Sequence, residues 1–293
     1  MDLVRDYNRQ AAVLRELVLA RRRAAGSAQA RGLTLVGAAA GCGTTTLAVN
    51  LAATLAASGG SAAVLLDAVG QGGPCDFLGI EPAATLADVA RGRAPLARAI
   101  AEGPEGLWVV ASGAVFERRD GLTPWQRQQL RQALDELAKR SAFVVAESSV
   151  AAAPALAALG EVAVVGAPWA VVETYSTLKL CAEAIEATRL GVIVGRASSR
   201  LQATKTTTAI AAVAGRRLGF APPSLGFVAE DPYVGSAAQE RTLFAVDYPR
   251  CQAARCLKSI AARLRAGAPP APSRARQRVS EHDSRDTSSA PQR

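Results

Sequence analysis

Residues 33–68 decide the fold. They read LTLVG (33–37), AAAGCG (38–43), TTTLAVNLAATLAAS (44–58) and, after two glycines, SAAVLLDA (61–68). An apolar run, a glycine-rich turn, a helical stretch opened by three threonines and a second apolar run spell strand, turn, helix, strand. The runs lack polar alternation, which predicts strands buried on both faces. The same signature recurs at 107–112 (LWVVAS), 142–147 (AFVVAE), 162–167 (VAVVGA) and 190–195 (LGVIVG). Helical segments are read at 122–139, 150–159, 170–186, 205–217, 234–243 and 249–265. Such an alternation predicts an α/β fold, a doubly wound and mainly parallel sheet with helices on both faces.

Segments of different character flank this domain. Leu3, Tyr7, Gln10, Ala11, Leu14, Leu17 and Val18 recur at three- and four-residue steps, so residues 1–24 read as an N-terminal amphipathic helix closed by Arg21 to Arg23. Residues 25–31 form a Gly/Ser/Ala linker, and residues 32–265 form the α/β domain. Residues 266–293 are rich in Pro, Ser and Arg with almost no large apolar side chain. They are expected to be a disordered tail, because they cannot bury enough surface to offset ordering.

The net charge of +9 is distributed unevenly. Residues 1–31 hold seven arginines against three acids, and residues 266–293 hold five against three. The two ends carry +6, leaving +3 on the folded part, which argues against a DNA-binding face there. Five scattered cysteines and one histidine define neither a disulfide framework nor a zinc site, so Cys42, Cys75, Cys181, Cys251 and Cys256 are read as buried or half-buried thiols. No apolar run is long enough to span a bilayer, and the chain is read as soluble and cytoplasmic. Trp108, Trp125 and Trp169 are read as packing residues, and Thr204 to Thr208 as the start of a helix.

The glycine turn between strand and helix is the geometry that cradles phosphate with backbone N–H groups and a helix N-terminus. The motif at 37–46, Gly-Ala-Ala-Ala-Gly-Cys-Gly-Thr-Thr-Thr, resembles the deviant Walker A loop of the MinD/ParA class, Lys-Gly-Gly-x-Gly-Lys-Thr-Thr. Aligned on Gly41, Gly43 and Thr45, the signature lysine falls on Ala39 and the Walker lysine on Thr44. The class's Asp-x-Asp becomes Asp67-Ala68-Val69, its Walker B aspartate becomes Glu147, and its adenine-reading asparagine becomes Gly195. What the resemblance implies for nucleotide binding is therefore confined to Gly41, Cys42, Gly43, Thr44, Thr45, Thr46, Asp67 and Glu147. Thr45 and Asp67 are the candidates for Mg²⁺, and ATP with Mg²⁺ is the implied cofactor. Both lysines and the water-positioning aspartate are missing, so little or no ATP hydrolysis is expected, and no residue is assigned as catalytic.

Within that class the chain resembles the FlhG family of flagellar-number regulators. Their leading helix carries Asp-Gln-Ala-x-x-Leu-Arg, matched here by Arg9-Gln10-Ala11-Ala12-Val13-Leu14-Arg15 with Arg9 in place of the aspartate. TLADVARG at 85–92, EGPEGLWVVASG at 102–113 and the stretch 218–264, with its turn at Asp231 and Val234, resemble the family in order. The resemblance implies regulation of flagellar number or placement. The N-terminal helix would act as a GTPase activator on an FlhF-like, signal-recognition-type GTPase through Gln10, Leu14 and Arg15. Flagellar switch proteins or transcriptional regulators are implied as further partners, and recruitment to the cell pole or membrane is left to partners.

The family's amphipathic membrane-targeting end is missing from 266–293, so neither stable membrane anchoring nor specific DNA binding is expected. The alternatives are an ATP-dependent, dimerising MinD/ParA-type switch in cell positioning or DNA partition, and a polysaccharide chain-length regulator on the same fold.

Overall fold

A computed structural model describes residues 31–57, 62–116 and 122–267. The helix read at 1–24, the linker apart from Arg31, and the tail beyond Gly267 lie outside the described residues. The described residues form one eight-stranded sheet: β1 (Arg31–Gly37), β2 (Ala63–Ala68), β3 (Ile100–Glu102), β4 (Trp108–Ala111), β5 (Phe143–Ser148), β6 (Gly160–Gly166), β7 (Leu190–Ala197) and β8 (Ser224–Ala229). Their order across the sheet is β3-β4-β2-β5-β1-β6-β7-β8. All neighbouring pairs are parallel except the edge pair β3–β4, which is antiparallel.

The unbroken apolar runs have the expected consequence: every residue of β2 and of β5 is buried. Alternate side chains feed two layers. Leu33, Leu35, Leu65, Val145, Val165 and Ile193 pack on one face against helices α1 (Thr44–Ala56) and α10 (Gln252–Ala266). On the opposite face Val64, Leu66, Val110 and Val144 meet α3 (Leu86–Ala90) and α4 (Pro124–Arg140). Beside them Val162, Val164 and Val192 meet α6 (Val171–Ala182) and α7 (Arg200–Leu218). Short helices α2 (Pro74–Leu78), α5 (Ala153–Leu156), α8 (Pro232–Glu240) and α9 (Phe244–Asp247) complete the set among the described residues. None of these helices is long and apolar enough to cross a membrane.

Three sequence expectations need correction. The helix expected from residue 205 starts at Arg200, because Ser199 caps it by accepting the Gln202 amide. Thr204 to Thr208 therefore lie within the helix; Thr206 and Thr207 are buried, and Thr207 donates back to the Ala203 carbonyl. The segment 150–159 forms only the single turn of α5 and a 3-10 turn. Of the tryptophans only Trp108 is core; Trp125 and Trp169 are half exposed, at 53% and 55%.

The topology also sets the position of the site. From β1 the chain moves toward β2, whereas from the adjacent β6 it moves the other way, to β7. Connections that diverge from neighbouring parallel strands leave a crevice at their C-terminal ends, where ligands of α/β sheets bind.

Candidate functional site: the phosphate loop and its surroundings

Residues 38–43 cross that crevice from β1 to α1. Gly41 and Gly43 have φ of +78° and +85°, a region open to glycine at little cost. The left-handed Gly43 turns the chain into α1, whose first backbone bond runs from the Leu47 amide to the Gly43 carbonyl. No side chain caps this helix start, so the amides of its first turn face the loop. The loop is tied to the sheet by the Ala38 amide, which donates to the Val165 carbonyl. Cys42 is buried within it, and burial pushes its thiol pKa up. Thr44 is also buried, with its hydroxyl against Gly37: a Cβ on Gly37 would lie 2.8 Å from Thr44 Oγ1. Thr44 and Ala39 carry no charge, so the loop keeps its backbone cradle without its lysines.

Thr45, Asp67 and Glu147 approach one another, but their roles differ. Thr45 Oγ1 donates to Glu147 Oε1 at 2.8 Å. An aspartate at 147 would stop one methylene short; the longer side chain spans the gap and contacts Thr45 directly. Glu147 is 5% exposed, and its second oxygen, Oε2, has no protein partner. Burial lifts the Glu147 pKa to about 7; the Thr45 hydrogen bond opposes the shift and the neighbouring Asp67 adds to it.

Asp67 holds a loop. Its Oδ1 accepts the amides of Val69 and Gly70, both at 3.1 Å, and its Oδ2 accepts the Cys75 amide at 3.0 Å. The contact is close enough that a Cβ on Gly73 would sit 2.5 Å from Asp67 Oδ1. Burial and the adjoining Asp67 push the Cys75 thiol to about 12. With three amides accepted, the Asp67 carboxylate anchors the turn that follows β2.

Gly195 lies at the end of β7, pressed on the loop: a Cβ there would meet the Cys42 carbonyl oxygen at 2.3 Å. No side chain fits at 195 in this packing, which explains why the asparagine position is glycine. The next residue, Arg196, was not among the candidate residues read from the sequence. Its φ is +51°, its Nη1 donates to the Gly41 carbonyl at 3.4 Å, and its Nη2 pairs with Glu230 at 2.9 Å. Its guanidinium lies 5.0 Å from the centroid of the Trp169 ring. A basic residue near the C-terminal end of the strand that abuts the loop was the signal that could have found it. Gln10, Leu14 and Arg15 lie outside the described residues.

The donor set suits a phosphate held by backbone amides and a divalent cation. The amides at the start of α1 are free of side-chain caps, and the orphaned Glu147 Oε2 with the Thr45 oxygen offers hard oxygen ligands of the kind Mg²⁺ takes. Without the lysines, the charge that builds during phosphoryl transfer has no clamp at Ala39 or Thr44.

No protein-family model matches the chain. It is 26% identical over 239 residues to the antiactivator FleN of Pseudomonas aeruginosa, a match covering 79% of this chain and 85% of the relative. It is 29% identical over 233 residues to an uncharacterized ATP-binding protein of Methanocaldococcus jannaschii, covering 76% and 83%. Its fold is that of MinD in the MinC–MinD cell division complex of Aquifex aeolicus, with a TM-score of 0.63, 19% identity, and coverage of 83% of this chain and 98% of that one. Strand order, loop position and the FleN similarity agree: the chain has the fold of the MinD/ParA P-loop proteins and is similar over most of its length to the antiactivator FleN.

Proposed function

We propose that this protein regulates flagellar number or placement through its N-terminal segment, which stimulates GTP hydrolysis by a signal-recognition-type GTPase. The P-loop domain is its scaffold and holds Mg-nucleotide weakly, with hydrolysis slow or lost. The observation behind the scaffold role is the loop itself, which keeps its left-handed glycines and uncapped amides while Ala39 and Thr44 stand at the two lysine positions. The flagellar assignment rests on the similarity to FleN and on Gln10, Ala11, Leu14 and Arg15 at the FlhG spacing. At helical spacing Leu14, Leu17 and Tyr7 would form an apolar stripe suited to a groove on a partner, with Gln10 to reach a catalytic water.

In the P-loop domain, amides from Gly41 to Thr46 would hold the phosphates, and Thr45 with Glu147 would hold Mg²⁺, which would supply charge neutralisation there. Asp67 shapes the adjoining loop and tunes Glu147 from a distance. The Asp67-Ala68-Val69 sequence places no carboxylate where an attacking water would be oriented, so the retained contacts serve binding.

The test is GTP turnover by a cognate FlhF-type GTPase with the full chain and with its Gln10→Ala variant. Stimulation by the first and its loss in the second is the expected result. Equal stimulation by both chains removes the role of Gln10, and none from either with a competent GTPase removes the activator role.

A further inference from the structure

The geometry points to Arg196 as a phosphate-binding cation of the loop, standing in for the lysines that Ala39 and Thr44 replace and held in place by Trp169 and Glu230. This rests on the reading of the loop as a Mg-nucleotide site and adds to it the residue that supplies positive charge.

Backbone, side chain and electrostatics each support the assignment. In the β7–β8 ladder, Val194 pairs with Phe227 and Ala197 with Ala229, so two residues of β7, Gly195 and Arg196, face the single residue Val228. That is a β-bulge, a device that re-aims a side chain at sheet ends and beside ligand sites. The extra residue is Arg196, and its left-handed φ of +51° is unusual for anything but glycine. The bulge directs the Arg196 side chain to the loop, where Nη1 reaches the Gly41 carbonyl.

Two further contacts hold the guanidinium. Glu230, just past β8, takes Nη2, and the exposed Trp169 ring, just past β6, lies beneath the cation. A guanidinium has five N–H donors, and the bonds to Gly41 and Glu230 use two of them. The others remain to fork onto phosphate oxygens, the bidentate geometry for which arginine is suited. The second side of the site is set independently. Glu147, 5% exposed and with Oε2 unpartnered, meets Thr45 at the start of α1, while Arg196 meets Gly41 in the loop that leads into that uncapped helix start.

The balance of charge explains why one arginine matters. Asp67, Glu147, Glu173 and Glu230 all lie in or around the loop, and Glu173 and Arg196 act on Cys42 in opposite senses. A nucleotide polyphosphate entering this setting needs Mg²⁺ on the Glu147 side and a cation on the Gly41 side. Arg196 is the basic side chain the structure brings to Gly41.

The experiment uses the full chain, a fluorescent ATP analogue with Mg²⁺, and displacement by unlabelled ATP, ADP and inorganic phosphate. The variants are Arg196→Ala, Arg196→Lys and Arg196→Gly. Glycine suits the left-handed backbone at 196, so an unchanged thermal midpoint in that variant separates lost binding from lost fold. We expect saturable binding by the wild type, affinity about tenfold weaker or more in the alanine and glycine variants, and an intermediate loss with lysine. Wild-type binding that the alanine and glycine variants retain in full would overturn the role of Arg196 and leave the nucleotide site standing. Absence of saturable binding by the wild type below about a millimolar, a weak limit for a specific ligand, would overturn the nucleotide site and this assignment with it.

Discussion

Thr45 Oγ1 donates to Glu147 Oε1 at 2.8 Å, joining the first turn of α1 to the C-terminal end of β5 with a carboxylate whose other oxygen is buried and unpartnered. The pair connects the helix start that would hold phosphate to the one buried acid beside it whose pKa is lifted to about 7. A carboxyl raised above its unfolded value of about 4.5 holds its proton in the folded state when the unfolded chain has released it. Folding is therefore favoured when the group is neutral, and this contribution is lost as pH rises from about 4.5 through about 7.

Replacing Glu147 by glutamine keeps an acceptor for Thr45 and removes the ionisation. In metal-free buffer, Glu147→Gln is expected to be more stable than the wild type at pH 8 by roughly 1–3 kcal/mol, an upper range set by the size of the shift. The difference should shrink toward zero near pH 5. Urea midpoints of both proteins across that range measure it. A constant difference, or one that grows on acidification, contradicts the buried, raised carboxyl.

Gly195 is the position at which the loop and β7 touch, and restoring the family's asparagine there should not restore nucleotide binding. A Cβ would sit 2.3 Å from a backbone oxygen, and backbone gives way less readily than a side chain. Gly195→Asn is expected to cost about 3 kcal/mol, the upper end of ordinary overpacking. Thermal denaturation shows this directly. A variant as stable as the wild type with tighter ATP binding would mean that the loop and strand separate more easily than this packing allows.

One carboxylate ties two helix starts together at the far edge of the sheet. Asp231 Oδ1 accepts the Tyr233 amide as the cap of α8, while Oδ2 accepts the Gln252 and Ala253 amides at the start of α10. Asp231→Ala leaves these amides to water and is expected to destabilise the domain by about 2 kcal/mol, one cap plus part of a second. Asp231→Asn, which retains one acceptor, should recover about half. Equal stability of all three proteins would show that the two helices dock without this link.

The sequence carried the fold because its strands are central ones. Runs such as AVLL and FVVA are apolar throughout, and in the sheet each is buried on both faces, so no face had to be guessed. The short antiparallel β3, Ile-Ala-Glu at the edge, carries no such pattern, and neither did the start of α7, where Ser199 caps well before the threonine run that had marked the helix. The site was legible at Gly41, Gly43 and Thr45, whose spacing is a backbone requirement. Asp67 was legible as a conspicuous acid but its hydrogen-bond partners were not, because the amides of Val69, Gly70 and Cys75 reach it only through the way the chain folds back. Arg196 was hidden for a related reason: only a bulge in the β7–β8 ladder brings it to Gly41.

The most direct measurement is phosphate release from ATP by the purified full chain with saturating Mg²⁺, followed over many enzyme equivalents. With Ala39 and Thr44 at the lysine positions and Val69 at the end of the Asp67 turn, turnover below about 0.1 per second is expected, well under the median enzyme rate. A faster steady rate, abolished by Thr45→Ala, would contradict the loss of hydrolytic chemistry and make the protein an ATP-driven switch.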